Sequence, residues 1–190
     1  VPVDRFALYT HQEEALLKSF SDKPSLLVAT GTGSGKTEAF LLPILADILL
    51  EAKMWAAPAS APSAGRYEAR QNVWLHGRRH EQRPAALRAI ILYPMNALVN
   101  DQLSRLRRIL ARGASPDWQR RNLNGNHIYF GMYTGLSQPT GSWTDQGRRQ
   151  RFAEYLAKIE RDWEKLPDEL KATGGWPRPN RPEMLCRWDM

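Results

Sequence analysis

Residues 25–38 read Ser25-Leu26-Leu27-Val28-Ala29-Thr30-Gly31-Thr32-Gly33-Ser34-Gly35-Lys36-Thr37-Glu38, and their order decides the fold. The apolar run Ser25 to Ala29 lies between Pro24 and a glycine-rich turn, which predicts a buried strand of a parallel sheet. The turn spans Thr30 to Gly35. A helix is expected from about Lys36 to Lys53, kinked or locally broken at Pro43. Glycine at 31, 33 and 35 lets successive backbone N–H groups point into one concavity, an arrangement that binds polyphosphate, and the helix N-terminus adds dipole charge of the right sign. Lys36 is placed to reach the β- and γ-phosphates, and the Thr37 hydroxyl to ligate Mg²⁺. The strict eight-residue pattern has glycine where this chain has Thr30. The core from Thr32 to Thr37 is intact. A glycine-rich turn with an incidental lysine is the plain alternative, and the strand before and helix after speak against it.

Outward from this loop the pattern alternates. Upstream, Thr10 and Glu13 have capping-box spacing, so a helix should start near His11 and end at Ser21-Asp22-Lys23-Pro24. Downstream, Arg88 to Tyr93 reads as a second strand closed by Pro94. A helix from about Asn96 to Arg112 follows, with Asn96 as its cap, Val99, Leu103, Leu106 and Leu110 as its buried stripe and Gly113 as its stop. Asn122 to Asn126 is a turn, and His127 to Thr134 a third strand. Phe152, Tyr155, Leu156, Ile159, Trp163 and Leu166 mark an amphipathic helix over 148–166. Residues 167–182, with four prolines and Gly174-Gly175, read as loop. Strand, helix, strand, helix, strand in this order predicts an α/β fold with a parallel sheet flanked by helices. Residues 54–88 fit no element. They begin with the low-complexity run 56–65 and continue Arg- and His-rich, so the stretch is expected to be a basic, flexible insertion.

Composition narrows the classes. The chain has 190 residues, 42% hydrophobic and 25% charged, which suits one globular domain. One cysteine, Cys186, excludes a disulfide scaffold and suits a reducing, cytoplasmic setting. No apolar run reaches membrane-spanning length, and no signal peptide opens the chain. The first residue is Val1 rather than Met, which suggests a segment of something longer. The net charge is +7. Residues 51–112 hold eleven bases against four acids, so this segment carries the whole excess, and twenty of the 27 bases are arginine. A localised arginine excess points to a phosphate-rich partner, with a solvated basic surface as the alternative.

The residues from Ala29 to Glu38 resemble motif I of superfamily 2 helicases of the DEAD/DEAH type, where an alanine often stands at the position of Thr30. Leu8-Tyr9-Thr10-His11-Gln12 looks like the Q-motif of that family, in which Gln12 would hydrogen-bond adenine. Tyr93-Pro94-Met95-Asn96-Ala97-Leu98-Val99-Asn100-Asp101-Gln102 is similar to motif Ia. Its Pro-Met-Asn-Ala-Leu form resembles that of a branch of large bacterial helicases, some in phage-defence systems. Tyr133-Thr134-Gly135 sits where the family has a second strand-contacting loop. The resemblance covers residues 6–135. It implies a RecA-like P-loop fold and an incomplete first lobe occupying 1–190. ATP and Mg²⁺ would be held by Gln12, Thr30, Gly31, Thr32, Gly33, Ser34, Gly35, Lys36 and Thr37. Lys36 and Thr37 would serve catalysis. Pro94, Met95, Asn96, Gln102, Thr134 and Gly135 would meet nucleic acid, DNA being favoured with RNA left open, and a second RecA-like lobe of the same parent would complete the cleft.

The family's paired carboxylate after an apolar strand is missing from this stretch. Asp168-Glu169 follows a proline, and Glu13-Glu14 precedes the loop. The 190-residue chain alone is therefore expected to be inactive, with helicase activity belonging to the parent. A nucleic-acid-binding module without hydrolysis is the competing reading, separated by ATP turnover of the whole protein. A small-molecule kinase needs neither Gln12 nor the Pro94–Gln102 segment. His76 and His80 have zinc-pair spacing, but no acid or cysteine completes a set. Trp143, Trp163, Trp176 and Trp188 could stack bases, although Trp163 fits a helix's core face better.

Overall fold

Helix α1, Thr10–Ser19, begins one residue before the sequence pattern suggested. Tyr9 is its extended N-cap (φ −69°, ψ 150°). Gln12, not Glu13, sits at the third helical position and folds back, its Oε1 accepting the Tyr9 N–H at 3.0 Å. An amide can close this box as well as a carboxylate. At the other end the Ser19 hydroxyl donates to the Leu16 carbonyl at 2.7 Å. Helix α2, Lys36–Ala52, starts from Gly35 in the left-handed region (φ 76°) and packs against α1. It continues through Pro43, where a kink or a local break was expected, so the helix is not broken there. One missing N–H removes a single rung, and the helical turns on both sides keep theirs. Near its C-terminus Glu51 receives Arg88, with Nη2 2.6 Å from Oε1.

The computed structural model describes residues 7–21, 25–61, 66–68, 70–71, 73–75, 77–83, 86–135, 137–142, 144–177 and 183–185. They fall into two compact units. The first comprises Val1–Met54 with Ala86–Ile90, and the second Trp55–Ala85 with Ile91–Met190. Cys186, His76, Trp143 and Trp188 lie outside the described residues.

In the second unit, strands β1, Arg66–Glu68, and β2, Val73–Leu75, form an antiparallel hairpin with Tyr67 opposite Trp74. Helix α3, Asn96–Leu110, buries Leu103 and Leu110 as expected, and Val99 and Leu106 only partly. Its N-cap is Met95 (φ −137°, ψ 137°), not Asn96. Helix α4, Ser115–Asn122, was not legible in the sequence. Its Gln119, 1% exposed, donates through Nε2 to the Leu110 carbonyl at 2.7 Å and accepts the Ile128 N–H at 2.9 Å. It thereby satisfies one of the carbonyls left open at the end of α3. Of the turn expected over 122–126, Asn122 instead ends α4; the turn lies at Asn124 and Gly125, with φ of 51° and 86°, and fully buried Asn126 donates to the Ala56 and Leu123 carbonyls. Strand β3, Phe130–Gly131, pairs in parallel with β4, Glu183–Met184. Helix α5, Gln146–Lys165, is capped by Asp145, whose carboxylate accepts the Arg148 N–H. A short α6, Asp168–Ala172, occupies part of the stretch read as loop.

The expected three-strand parallel sheet is not what these residues contain. Among them, β3–β4 is the one parallel pair, and β3 is two residues where eight were expected. Ser25–Ala29 and Arg88–Tyr93 are in no ladder. Leu27 is 95% and Leu92 86% exposed. A strand exists only by exchanging N–H and C=O bonds with a neighbour, and neither segment has one among the described residues. Their apolar composition is legible in sequence; the neighbour is not. The core of the second unit gathers Trp55, Leu103, Leu110, Leu123, Ile128, Phe130 and Phe152. No described helix is long and apolar enough to cross a membrane.

Candidate nucleotide site and nucleic-acid interface

The glycine-rich loop and Gln12 come together in the first unit. Gly33 and Gly35 both take φ of +76°, a conformation that L side chains rarely adopt. Lys36 Nζ donates to the Thr30 carbonyl at 2.7 Å and to the Gly31 carbonyl. The Thr30 and Ser34 hydroxyls lie 2.6 Å apart, and Ser34 Oγ donates to the Gly31 carbonyl at 2.8 Å. The hydroxyl of Thr30, the departure from the strict pattern, thus ties the mouth of the loop to Ser34. Among the described residues, nothing but the immediate chain neighbours lies within 4 Å of where a Cβ would stand on Gly31 or Gly33, so the loop has room beside both. An ammonium carries three donors. Two are spent on loop carbonyls, which leaves the third for an anion. These features fit a polyphosphate with its magnesium, with Thr37 in the first turn of α2.

Gln12 is 5% exposed and joins the two halves of this site. Its Nε2 donates to the Gly35 carbonyl at 3.0 Å, while its Oε1 holds Tyr9. A Cβ on Gly35 would stand 2.3 Å from that Nε2. The sequence suggested a motif around Gln12 but not this partner, because the contact spans 23 residues.

The strand-contacting candidates lie in the second unit. Pro94, Met95 and Asn96 form the exposed entry to α3, whose first backbone N–H groups are open at a helix N-terminus. Gln102 is buried, at 8% exposure, with Nε2 donating to Asp101 at 3.2 Å. Burial pushes the phenol of the preceding Tyr93 above its ordinary range. Thr134 and Gly135 belong to a tight turn held by Ser137, whose Oγ accepts the Thr134 N–H at 2.9 Å and donates to the Met132 carbonyl at 2.8 Å.

Of the other candidates, His80, Trp163 and Trp176 are described. His80 is 2% exposed and sits 3.3 Å from the Tyr129 hydroxyl. Burial depresses its pKa, against the opposing pull of Glu81. No metal-binding cluster exists among the described residues. Trp163 lies under the Arg112 guanidinium, 4.4 Å from its ring centroid, and Trp176 is 45% exposed.

A glycine-rich loop enters α2, and a glutamine of α1 is hydrogen-bonded to it. The model of the DEAD/DEAH box helicase family matches residues 9–156, more than half of the chain, and the chain belongs to that family. It is similar to the Druantia protein DruE of Escherichia coli (strain UMEA 4076-1), with 34% identity over 175 residues. The match covers 89% of this chain and 8% of that protein, so the chain spans a small part of its relative's length. No solved structure matches.

Proposed function

We propose that this chain is the ATP-binding, RecA-like lobe of an ATP-dependent nucleic-acid helicase or translocase. The observation that carries the reading is Lys36. Its ammonium stands at the mouth of a loop with left-handed Gly33 and Gly35, at the start of α2. Magnesium, when bound, neutralises charge on the phosphates. The loop amides and Lys36 bind the polyphosphate, Thr37 presents a hydroxyl to the metal, and Gln12 keeps one N–H and one lone pair for adenine. Pro94, Met95 and Asn96, supported by Gln102, contact the strand backbone, with Thr134 and Gly135 as a second contact. The partners are nucleic acid, DNA in preference to RNA, and a second RecA-like lobe of the parent protein in the cytoplasm.

The test is an ADP titration. Lys36→Ala removes a charge-assisted contact worth about 1.5–3 kcal/mol, which corresponds to roughly 10- to 100-fold in affinity. ADP binding by the variant as tight as the parent's would refute the phosphate-loop assignment.

A further inference from the structure

Helix α5 and the loop before it enclose a groove that the nucleotide and strand motifs leave unused. Gln138, Pro139 and Thr140 form one wall, and Arg148, Arg151, Phe152 and Tyr155 the other. Its volume is about 380 Å³, within the range of about 300–1,000 Å³ usual for small-molecule sites. The floor is aromatic. Phe152 is buried at 4% exposure, and Tyr155 stacks on it with centroids 5.9 Å apart while remaining 41% exposed. A tyrosine ring backed by another ring and partly exposed in a groove is a platform on which a base can stack.

The cations of the groove are disposed unequally. Arg148 is engaged: its Nε donates to Asp145 at 3.0 Å and its Nη1 to the Thr140 carbonyl. That contact needs Gly141, where a Cβ would stand 2.8 Å from Nη1. Arg148 therefore shapes the wall. Arg151, one turn further along α5, is exposed, and its side chain has no hydrogen bond or ion pair among the described residues. A guanidinium offers a planar fork of donors suited to phosphate oxygens. A partly exposed aromatic ring with an unpaired guanidinium four residues away on one helix is the pairing that single strands exploit: bases stack, and the backbone is neutralised. The wall opposite begins three residues after Gly135, so the groove follows directly from the second strand-contacting turn.

We propose that this groove holds one nucleotide of a single strand, its base stacked on Tyr155 and its phosphate on Arg151. The proposal rests on the nucleic-acid reading above, and it adds a contact that neither the phosphate loop nor the two strand-contacting turns supplies.

The experiment is a binding titration of fluorescein-labelled oligothymidine to the full-length protein at several salt concentrations. The variants are Tyr155→Ala, Tyr155→Phe, Arg151→Gln and Asn96→Ala, and thymidine monophosphate is the competitor. Tyr155→Ala is expected to weaken binding by about 5- to 100-fold at unchanged salt slope. Tyr155→Phe keeps the ring and should bind as the parent does, which separates stacking from a packing role. Arg151→Gln should weaken binding and reduce the log–log salt slope by about 0.7, one phosphate on a single strand. The Arg151 side chain makes no internal bond among the described residues, so its change should leave the melting temperature unaltered. Parental affinity and slope in both Tyr155→Ala and Arg151→Gln, with Asn96→Ala weakened, would overturn the groove and leave the helicase reading standing. Competition by thymidine monophosphate at concentrations far below those needed to reach the strand's other contacts would identify a free-nucleotide pocket and overturn the strand assignment. Absence of any oligothymidine binding by the parent would overturn both.

Discussion

Gly33 and Gly35 share a φ of +76° but not a neighbourhood. A Cβ on Gly33 meets open space, whereas one on Gly35 meets Gln12 Nε2 at 2.3 Å. Alanine at either position should cost the left-handed penalty of about 1–2 kcal/mol. Alanine at 35 must also push the amide aside and break its bond to the Gly35 carbonyl, a further loss of about 0.5–1.5 kcal/mol. Urea denaturation should therefore rank Gly35→Ala below Gly33→Ala in stability, and Gln12→Ala should narrow the gap between them. Equal losses would mean that Gln12 does not grip the loop in solution. At this scale the sequence was legible where chemistry is local. The glycine-rich turn before α2 and, from Asn124 on, the turn read over 122–126 followed from residue type. The cap at Tyr9 rather than Thr10, and the burial of Gln102, did not, because both depend on what packs against the helix rather than on what the helix spells.

Among the elements, α2, α3 and α5 were readable from apolar spacing, since a helix satisfies its own backbone. Helix α4 was missed because its sequence, Ser115 to Asn122, carries no apolar period; one buried amide, Gln119, anchors it. Strands were over-read, because apolar composition does not provide a hydrogen-bonding neighbour. The pair β3–β4 shows what a strand requires. Arg107 on α3 donates to Glu183 on β4 through both Nε and Nη2, each at 2.7 Å, and through Nη1 to the Gly174 and Gly175 carbonyls at 3.2 Å. The approach needs Gly174 (φ +78°), where a Cβ would stand 2.4 Å from the Ser104 carbonyl oxygen. With side chains 9% and 3% exposed, this is a buried pair. Removing one partner strands the other charge at a cost of about 3–5 kcal/mol, while an apolar replacement of both can be neutral. Arg107→Leu and Glu183→Leu should each lower stability strongly, and the double variant should recover much of the loss in chemical denaturation. Additive losses would show the pair to be uncoupled.

On the scale of the whole molecule, the count of eleven bases in residues 51–112 overstates what is available to a partner. Three of the four acids in residues 51–112 are already matched: Glu51 with Arg88, Glu81 with Arg83, and Asp101 with Arg105. Arg107 is spent on Glu183. Arg83 is the clearest case, because its guanidinium also lies 3.3 Å from the Trp55 ring centroid and donates to the His127 carbonyl at 3.1 Å. It belongs to the core of the second unit, although by composition it counted towards a basic patch. Arg70 and Arg79, by contrast, are exposed. The two groups should separate in a salt titration of oligonucleotide binding by the full-length protein. Arg83→Ala is expected to lower the melting temperature and leave the salt slope unchanged, since an arginine facing Trp55 and Glu81 releases no counterion on binding. Replacing Arg70 and Arg79 by Gln should reduce the slope by about 0.7 for each that meets a phosphate of a single strand. A slope unmoved by that pair would take residues 54–88 out of the nucleic-acid interface, leaving their exposed arginines as a solvated surface. Strand contact would then fall to the exposed entry of α3 and to the turn at Thr134 and Gly135.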